Sequence, residues 1–342
     1  MLLPRHFKYL VLLSGLLSMS LTSQISSAQT VTETTASTAT PPSRLILLGT
    51  GAGPIPRKDR AQPSNLLIVG GRPYLIDAGN GVARQMVQAG YVPSDVRTVF
   101  ITHHHIDHNA DIGALMSYAW IEDTKRNDKS AGVMKFYGPT STSDLVQAGL
   151  SFLSVSERIF RSGVPMPPAA GRFEAHDFKG AGVVYRDDRL VVTAAENTHY
   201  HLARRTGEAM SNDKSYALRF DTPDRSFVFC GDTGPSDAVT RLAQGADVLI
   251  CSVNELDATM KELATTTKLP PPAQAAMRAH MEHQHITPEQ IGLMAQKAGV
   301  KTVVLTHFAP GRDGETDASL YTRGVRKHFS GAVIAGRDLL EF

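Results

Sequence analysis

Four side chains of metal-binding type occur within six residues of this 342-residue chain: His103, His105, Asp107 and His108. Imidazole and carboxylate groups bind zinc, and they also bind iron or manganese. The apolar, β-branched run 97–102 predicts a buried strand directly before them, so the ligands lie on a loop at a strand's carboxyl end. His103 and His105 project towards one point. Asp107 and His108 turn towards a second point, and two such points hold two metal ions side by side.

Further ligands for a two-metal site follow later predicted strands. Asp232 ends one strand-like run and is a carboxylate that can bridge two ions, and His307 ends another. Both His199 and His201 follow a third strand, and one of them is needed to complete the first metal. We expect His199 to be the ligand because it comes first after the strand, and His201 is kept as the alternative.

The first 28 residues have the form of a secretory signal peptide. Arg5 and Lys8 precede an apolar stretch over residues 9–21, and a small-residue cleavage signal ends at residue 28. The apolar stretch is too short for a comfortable membrane span, so no membrane association is expected after cleavage. Residues 29–43 are rich in Thr, Ala and Ser and predict a disordered linker. These features predict a periplasmic or secreted protein.

The charge balance is close to neutral. The full chain has 35 basic and 33 acidic residues, and the signal-like segment contains two basic residues, Arg5 and Lys8, and no acidic one, which leaves 33 of each. Proteins that bind nucleic acids usually carry a basic surface. We therefore expect a small-molecule ester substrate and do not expect nucleic acid as a partner.

The chain has two cysteines, Cys230 and Cys251, and each lies in a strand-like run. We expect both to be buried thiols that pack as small hydrophobic groups. A disulfide is the alternative, because an exported protein could join them if the two strands were neighbours.

The apolar patterning predicts an α/β chain in which strand-rich halves each carry helices. The predicted strands cover residues 44–48, 65–69, 74–77, 97–102, 133–137, 182–185, 190–194, 216–220, 227–229, 248–250 and 302–305, and the predicted helices cover 80–89, 111–120, 144–152, 255–264 and 288–298. Two such halves predict a four-layer αββα sandwich over residues 44–342, with one site between the two sheets at the strand ends.

Residues 44–342 resemble the ribonuclease Z and arylsulfatase-like branch of the metallo-β-lactamase superfamily. The matching segments are Leu47–Gly51, Leu75–Gly79, the His103–His108 run, Gly231–Thr233 and Leu305–Phe308. The resemblance implies a metallo-β-lactamase-like sandwich with two zinc ions per chain. It implies one metal held by His103, His105, His199 and Asp232, and a second held by Asp107, His108, Asp232 and His307. It also implies that Asp77 braces the ligand loops.

The same resemblance implies one further catalytic histidine near the C-terminus. His285 fits that position, and it would protonate the leaving group or bind the anion, while Asp107 would help to take a proton from water. His280 and His283 are close competitors of His285. The branch carries a His-Glu pair after the strand of the bridging aspartate, where this chain has Asn254 followed by glutamate. The basic, Gly/Pro-rich arm that clamps tRNA in this branch is not apparent.

These features together predict an exported dinuclear-zinc hydrolase that cleaves an ester-type bond, a phosphodiester foremost, with a metal-bound hydroxide. A sulfate ester, a lactone or a halide-releasing substrate is an alternative on the same site. A di-iron redox protein of the same fold is an alternative of a different class. Dimers are common in the family that the chain resembles, so a homodimer is left open.

Overall fold

The computed structural model describes residues 41–126, 132–201 and 213–342. The signal-like segment 1–28 and the linker up to residue 40 lie outside the described residues. The described chain forms two seven-stranded sheets with helices on their outer faces.

The first sheet has the strand order β14-β1-β2-β3-β4-β5-β6. Its strands are β1 (Arg44–Gly49), β2 (Ser64–Val69), β3 (Arg72–Ile76), β4 (Thr98–Phe100), β5 (Met134–Gly138), β6 (Phe173–Asp177) and β14 (Leu340–Glu341). The pairs from β14 to β3 are antiparallel, and those from β3 to β6 are parallel.

The second sheet has the order β13-β12-β11-β10-β9-β8-β7. Its strands are β7 (Gly182–Arg186), β8 (Val191–Glu196), β9 (Tyr216–Asp221), β10 (Ser226–Phe229), β11 (Val248–Asn254), β12 (Thr302–Ala309) and β13 (Ala332–Ala335). Strands β10 to β13 are parallel, and β7 to β10 are antiparallel. Each sheet therefore has one parallel half, whose carboxyl ends supply loops to a common edge.

The helices follow the parallel strands. They are α1 (Val82–Gln88), α2 (Ile106–Asn109), α3 (Ile112–Arg126), α4 (Thr142–Gly163), α5 (Asp237–Leu242), α6 (Leu256–Thr266), α7 (Pro271–Gln284), α8 (Pro288–Ala298) and α9 (Ser319–Arg326), with a 3₁₀ turn at Pro93–Asp95. Over the described residues, every helix is too short or too polar to cross a membrane.

Three apolar layers confirm the predicted αββα sandwich. The central layer lies between the sheets and includes Leu45 and Leu47 of β1, while Ile46 and Leu48 of the same strand face the outer layer under α1 and α3. This alternation follows from the two-residue period of a strand. The third layer packs α5, α8 and α9 on the second sheet. Both faces of the central strands are covered, which explains their continuous apolar runs.

The two cysteines differ from the expectation of free thiols. Cys230 and Cys251 form a disulfide, and their Cα atoms are 5.1 Å apart. The reason is the strand order: β10 and β11 are parallel neighbours, with Phe229 opposite Ile250, so the next residue on each strand faces the other. The expectation of two buried thiols was wrong because the sequence does not reveal which strands pair.

Several helices differ from the prediction: α3 and α4 extend beyond their predicted ends, and α2, α5, α7 and α9 were not predicted. The helix predicted at 144–152 continues to Gly163 as α4. The helix α7 was not predicted, and it begins at Pro271 within the run of three prolines at 270–272. A proline is compatible with the first helical turn because that turn has no use for its missing N–H.

Candidate metal centre

Four strand ends from the two sheets bring the predicted ligands together. The loop after β4 carries His103 and His105, and the short helix α2 that follows it carries Asp107 and His108. The loops after β8 and β10 carry His199 and Asp232, while His307 lies in β12. Their ligand atoms form several groups, and within each group the atoms lie within 4.8 Å of one another. Strand ends are the usual site position in α/β folds because the loops there are free to vary.

The first group consists of His103, His105 and His199. The Nε2 atom of His199 lies 3.0 Å from Nδ1 of His105, and the ring centroids of His103 and His199 are 4.8 Å apart. The Nδ1 atom of His199 lies 3.0 Å from the backbone carbonyl of Gln284. A carbonyl oxygen only accepts, so Nδ1 carries the proton and Nε2 keeps its lone pair for a metal.

The second group consists of Asp107, His108 and His307, with Asp232 between the two groups. The Nε2 atom of His307 lies 3.2 Å from Oδ2 of Asp107 and 3.2 Å from Oδ2 of Asp232. The other carboxylate oxygen of Asp232 is 3.7 Å from Nε2 of His108, and Oδ2 is 3.9 Å from Nε2 of His199. The Asp232 carboxylate therefore faces both groups, as a bridging ligand must.

Asp77 holds the segment that follows β4 in place through hydrogen bonds to Thr102 and His108. Its carboxylate accepts hydrogen bonds from the backbone N–H of Thr102 at 2.8 Å and from the Thr102 hydroxyl at 2.9 Å. It also lies 2.8 Å from Nδ1 of His108, which leaves Nε2 of that ring directed at Asp232. Asp77 adopts a positive φ of 61°, a conformation that non-glycine residues rarely hold without a local reason.

Three buried atoms of the cluster have no hydrogen-bond partner among the described residues. They are Nε2 of His103, Nε2 of His108 and Oδ1 of Asp232. Leaving a buried polar group unpaired costs about 1–3 kcal/mol, so three of them at one point are an expensive arrangement for a purely structural cluster. Bound cations would satisfy all three, and the donor set of imidazole and carboxylate suits zinc. The residues therefore fit a metal.

The histidines of the first group are neutral. Burial holds the pKa of His103 well below its usual value and lowers the pKa of His105. Burial also lowers the pKa of His199 to about 4. Neutral imidazole is the form in which histidine binds a metal ion.

The carboxylate side of the cluster is ionised. Burial opposes ionisation of Asp232, but the neighbouring His307 and His108 hold its pKa well below the usual range. Burial likewise disfavours the charged form of His108, but the Asp77 carboxylate and its neighbour Asp107 raise its pKa to about 10. The excess of negative charge at this end of the cluster attracts a cation, and a metal ion would take over the role of the His108 proton.

His285 joins the cluster, whereas His201 does not. The Nδ1 atom of His285 lies 3.8 Å from Oδ2 of Asp232, and His199, Asp232 and His285 form a further group with the spacing of metal ligands. Burial lowers the pKa of His285 to about 3. His201 is exposed, and its ring belongs to none of these groups in the part of the chain that the structure describes. The structure thus places His199, and not His201, beside the other predicted ligands.

Two neighbours of the site were not predicted from the sequence. Gln284 acts through its backbone carbonyl, which any residue would provide, so its side chain gives no signal. Tyr200 stacks on His199 with ring centroids 5.3 Å apart, and its hydroxyl accepts a hydrogen bond from the backbone N–H of His104 at 3.3 Å. Its position between His199 and His201 was visible in the sequence, but its contact with the first ligand loop depends on the fold.

A protein-family model described as a beta-lactamase superfamily domain matches residues 72–308. The chain is 32% identical over 290 residues to ribonuclease Z of Mycobacterium sp. (strain KMS), covering 83% of this chain and 91% of the relative. It is 28% identical over 298 residues to ribonuclease Z of Mycobacterium bovis (strain BCG / Pasteur 1173P2), covering 86% and 96%. The fold is similar to that of the metallo-beta-lactamase fold protein YhfI from Bacillus subtilis, with a TM-score of 0.61, 19% identity, and 88% and 99% coverage.

These relatives correct one expectation drawn from the charge balance. The chain was not expected to have nucleic acid as a partner, yet the relatives that match it over more than four fifths of its length are ribonucleases. The expectation was wrong because net charge is summed over the whole surface. A metal-binding cleft can attract a phosphate backbone through local positive charge while the protein as a whole stays neutral.

Proposed function

Because the chain belongs to the beta-lactamase superfamily and resembles ribonuclease Z over most of its length, we propose that it is a metal-dependent hydrolase of phosphodiester bonds, with RNA among its substrates. The observation that carries the proposal is the convergence of unpaired, buried ligand atoms of His103, His108 and Asp232 at one point. A phosphodiester is a suitable substrate for such a site because its charged oxygens are bound by cations and its leaving group is stabilised by them.

Two zinc ions are the cofactor that we propose. His103, His105 and His199 would hold the first with Asp232, and Asp107, His108 and His307 would hold the second with the same carboxylate. Zinc ions bound there would polarise the phosphoryl oxygens and make water more acidic. The support is the donor set itself, because neutral imidazole and ionised carboxylate are the forms in which these side chains bind divalent ions.

His285 and Asp107 would complete the chemistry. With a pKa lowered to about 3 by burial, the His285 ring is neutral near pH 7, so it would act as a neutral N–H donor to a phosphoryl or leaving-group oxygen. Asp107 lies 3.2 Å from Nε2 of His307, and its pKa is lowered by His108 and His307 although burial opposes this. An aspartate with a low pKa is a weak base, so Asp107 would orient the attacking water by accepting a hydrogen bond from it.

Export is a further part of the proposal. It rests on the signal-like features of residues 1–28, and the disulfide between Cys230 and Cys251 is of the kind that persists in oxidising compartments. Mass spectrometry of the protein recovered from the periplasm or medium tests it. A mature N-terminus near Gln29 is expected, and a full-length chain that stays in the cytoplasm would contradict export.

The experiment that tests the hydrolase combines metal analysis with three substrates. The purified protein is analysed for bound metal by mass spectrometry and assayed on bis-p-nitrophenyl phosphate, p-nitrophenyl sulfate and an end-labelled RNA. About two zinc ions per chain and chelator-sensitive cleavage of the phosphodiester and the RNA are expected. His103→Ala and Asp232→Ala should lose metal and activity, whereas His201→Ala, an exposed neighbour of His199, should keep both.

Other outcomes would decide against parts of the proposal. Cleavage of the sulfate ester without the phosphodiesters would replace the substrate class. Two iron ions per chain with no hydrolysis would favour the redox alternative. Wild-type turnover in His103→Ala with full metal loading would show that the cluster is not the active site.

A further inference from the structure

Asn254 ends β11 in the core of the second sheet and is 2% exposed. Its backbone N–H donates to the carbonyl of Ile286 at 3.0 Å. Its side-chain Nδ2 donates to the carbonyl of Met281 at 3.2 Å, and its Oδ1 accepts from the hydroxyl of Thr259 at 2.8 Å. A carbonyl oxygen cannot donate, so the Met281 contact fixes the orientation of the amide. A single buried residue thus contacts α6, the end of α7 and the segment that follows.

The end of α7 needs such partners. The last four carbonyls of a helix accept no hydrogen bond from an N–H group of the same helix, so their partners must come from outside it. In α7 these carbonyls belong to residues 281–284. Asn254 donates a hydrogen bond to the carbonyl of Met281. His199 donates a hydrogen bond to the carbonyl of Gln284 through its Nδ1 atom at 3.0 Å. The helix end is therefore held by one structural residue and one proposed metal ligand.

The same helix end is packed tightly against the loop of the bridging aspartate. A Cβ atom built on Gly234, two residues after Asp232, would lie 2.0 Å from the backbone oxygen of His283. Only glycine permits this approach. The turn after β10 and the end of α7 therefore have one fixed relative position. A displacement of α7 would also displace Asp232.

The two residues whose carbonyls accept hydrogen bonds from Asn254 lie on either side of His285 in the sequence. Met281 lies four residues before it and Ile286 lies one residue after it, and both of their carbonyls accept a hydrogen bond from Asn254. The ring between these two points lies with its Nδ1 atom 3.8 Å from Asp232 and its centroid 4.9 Å from that of His199. The position of the ring at the cluster therefore depends on both bonds.

We propose that Asn254 is a positioning residue for the metal centre: through the end of α7 it fixes the Gln284 carbonyl that orients His199, and it fixes His285 beside Asp232. It acts through other residues and touches no metal ligand itself. This inference rests on the proposed function, because its consequences are measured at the zinc site. The amide is specifically required, since its N–H₂ meets one carbonyl and its oxygen meets one hydroxyl.

Asn254→Asp tests the inference because it keeps the shape and the acceptor but removes the donor to Met281. Zinc affinity is measured by competition with a chelator, hydrogen exchange by mass spectrometry over residues 271–284, and kcat and KM with bis-p-nitrophenyl phosphate. We expect a loss of zinc affinity smaller than the roughly 10–100-fold that is typical of residues hydrogen-bonded directly to a metal ligand, with faster exchange at the end of α7 and a lower kcat. Thr259→Val leaves the donor to Met281 in place and removes only the hydroxyl that Oδ1 of Asn254 accepts from, so a smaller loss of the same kind is expected.

Val300→Ala is the matched control. Val300 is a buried member of the same apolar layer and makes no contact with α7 among the hydrogen bonds of the described residues. It should lower the melting temperature without changing zinc affinity or exchange in α7. Wild-type zinc affinity and exchange in both Asn254→Asp and Thr259→Val would overturn the inference. If the wild-type protein itself bound no zinc, the proposed function would fail. Faster hydrogen exchange in α7 of the variants would then show only that Asn254 stabilises the end of this helix.

Discussion

At the scale of single residues, two histidines of the site each have one ring nitrogen hydrogen-bonded to a neighbouring group, which leaves the other nitrogen for a metal. The Nδ1 atom of His108 lies 2.8 Å from the Asp77 carboxylate, and the Nδ1 atom of His199 lies 3.0 Å from the Gln284 carbonyl. In both rings Nδ1 is therefore the protonated nitrogen, and Nε2 is the nitrogen that faces the cluster and would bind a metal. A ligand held in this way loses less rotational freedom when it binds a metal, which raises the affinity of the site.

Asp77→Asn should weaken the site without removing a ligand. The amide N–H₂ of asparagine would oppose either the Thr102 N–H or Nδ1 of His108, so one of the present hydrogen bonds must be lost. We expect a loss of metal affinity of about 10–100-fold, measured by chelator competition. Asp144→Asn, an exposed change in the first turn of α4, is the control and should bind metal like the wild type. Unchanged affinity in Asp77→Asn would mean that the bracing is not used.

His285→Ala should separate metal binding from catalysis. The ring lies within ligand distance of His199 and Asp232 but outside the sets that hold the two proposed ions. If it is a donor to the substrate, the variant should keep both metals and lose about 10²–10⁴-fold in kcat. Because the ring is neutral, with a pKa of about 3, His285→Gln should recover part of the rate by supplying a neutral N–H. Loss of one metal in His285→Ala would instead make His285 a ligand.

At the scale of elements, one carboxylate connects the two sheets. Asp187, after β7 of the second sheet, accepts hydrogen bonds from Tyr74 at 2.6 Å, Tyr185 at 2.9 Å and Arg72 at 3.0 Å. Tyr74 and Arg72 belong to β3 of the first sheet. Burial opposes the charge on Asp187, but the Tyr74 hydroxyl and the backbone N–H groups of Arg189 and Leu190 lower its pKa.

Asp187→Asn should destabilise the protein by about 1–3 kcal/mol at pH 7, because several of these bonds are made to a charged acceptor. The folded-state pKa of Asp187 lies below its unfolded value of about 3.9. Its contribution is therefore present above that pH and is lost as the pH falls through the lower, folded value. Urea unfolding at pH 7 and pH 3 should show a difference between wild type and variant that shrinks at the lower pH. Asp188→Asn changes the exposed neighbour and should have little effect at either pH.

Elements with local signals were predictable from the sequence, and elements held by distant contacts were not. The helix predicted at 288–298 matches α8, whose Thr287 cap and terminal Gly299 are both visible in the sequence. The helix α7 was missed because its end is stabilised by Asn254 and His199, far away in the chain. The His103–His108 run predicted the first half of the cluster, but the choice between His199 and His201 required the fold, since the two are separated by one residue.

At the scale of the whole molecule, the candidate metal ligands come from both sheets and meet in one cluster. His103, Asp107 and His108 follow β4 of the first sheet, whereas His199, Asp232 and His307 belong to the second. Without a cation, the carboxylates of Asp107 and Asp232 face each other across His307, and three buried ligand atoms stay unpaired. A metal ion bound there would therefore act as a cross-link between the halves as well as a cofactor.

Metal removal should consequently lower the stability of the entire fold. A ligand that binds only the folded state stabilises it by RT ln(1 + [L]/Kd), which is about 4 kcal/mol at a free concentration of a thousand times Kd. For a fold of about 300 residues, whose unfolding entropy is about 2.1 cal/mol/K per residue, that corresponds to a shift of the melting temperature of roughly 6 °C. Calorimetry of the zinc-loaded protein with and without excess chelator measures the shift, and the melting temperature should rise with the logarithm of free zinc. His103→Ala should respond much less to zinc, whereas His201→Ala should respond like the wild type. A melting temperature that is the same in the loaded and the chelated wild-type protein would mean that the ligands are held in place by the sheets alone.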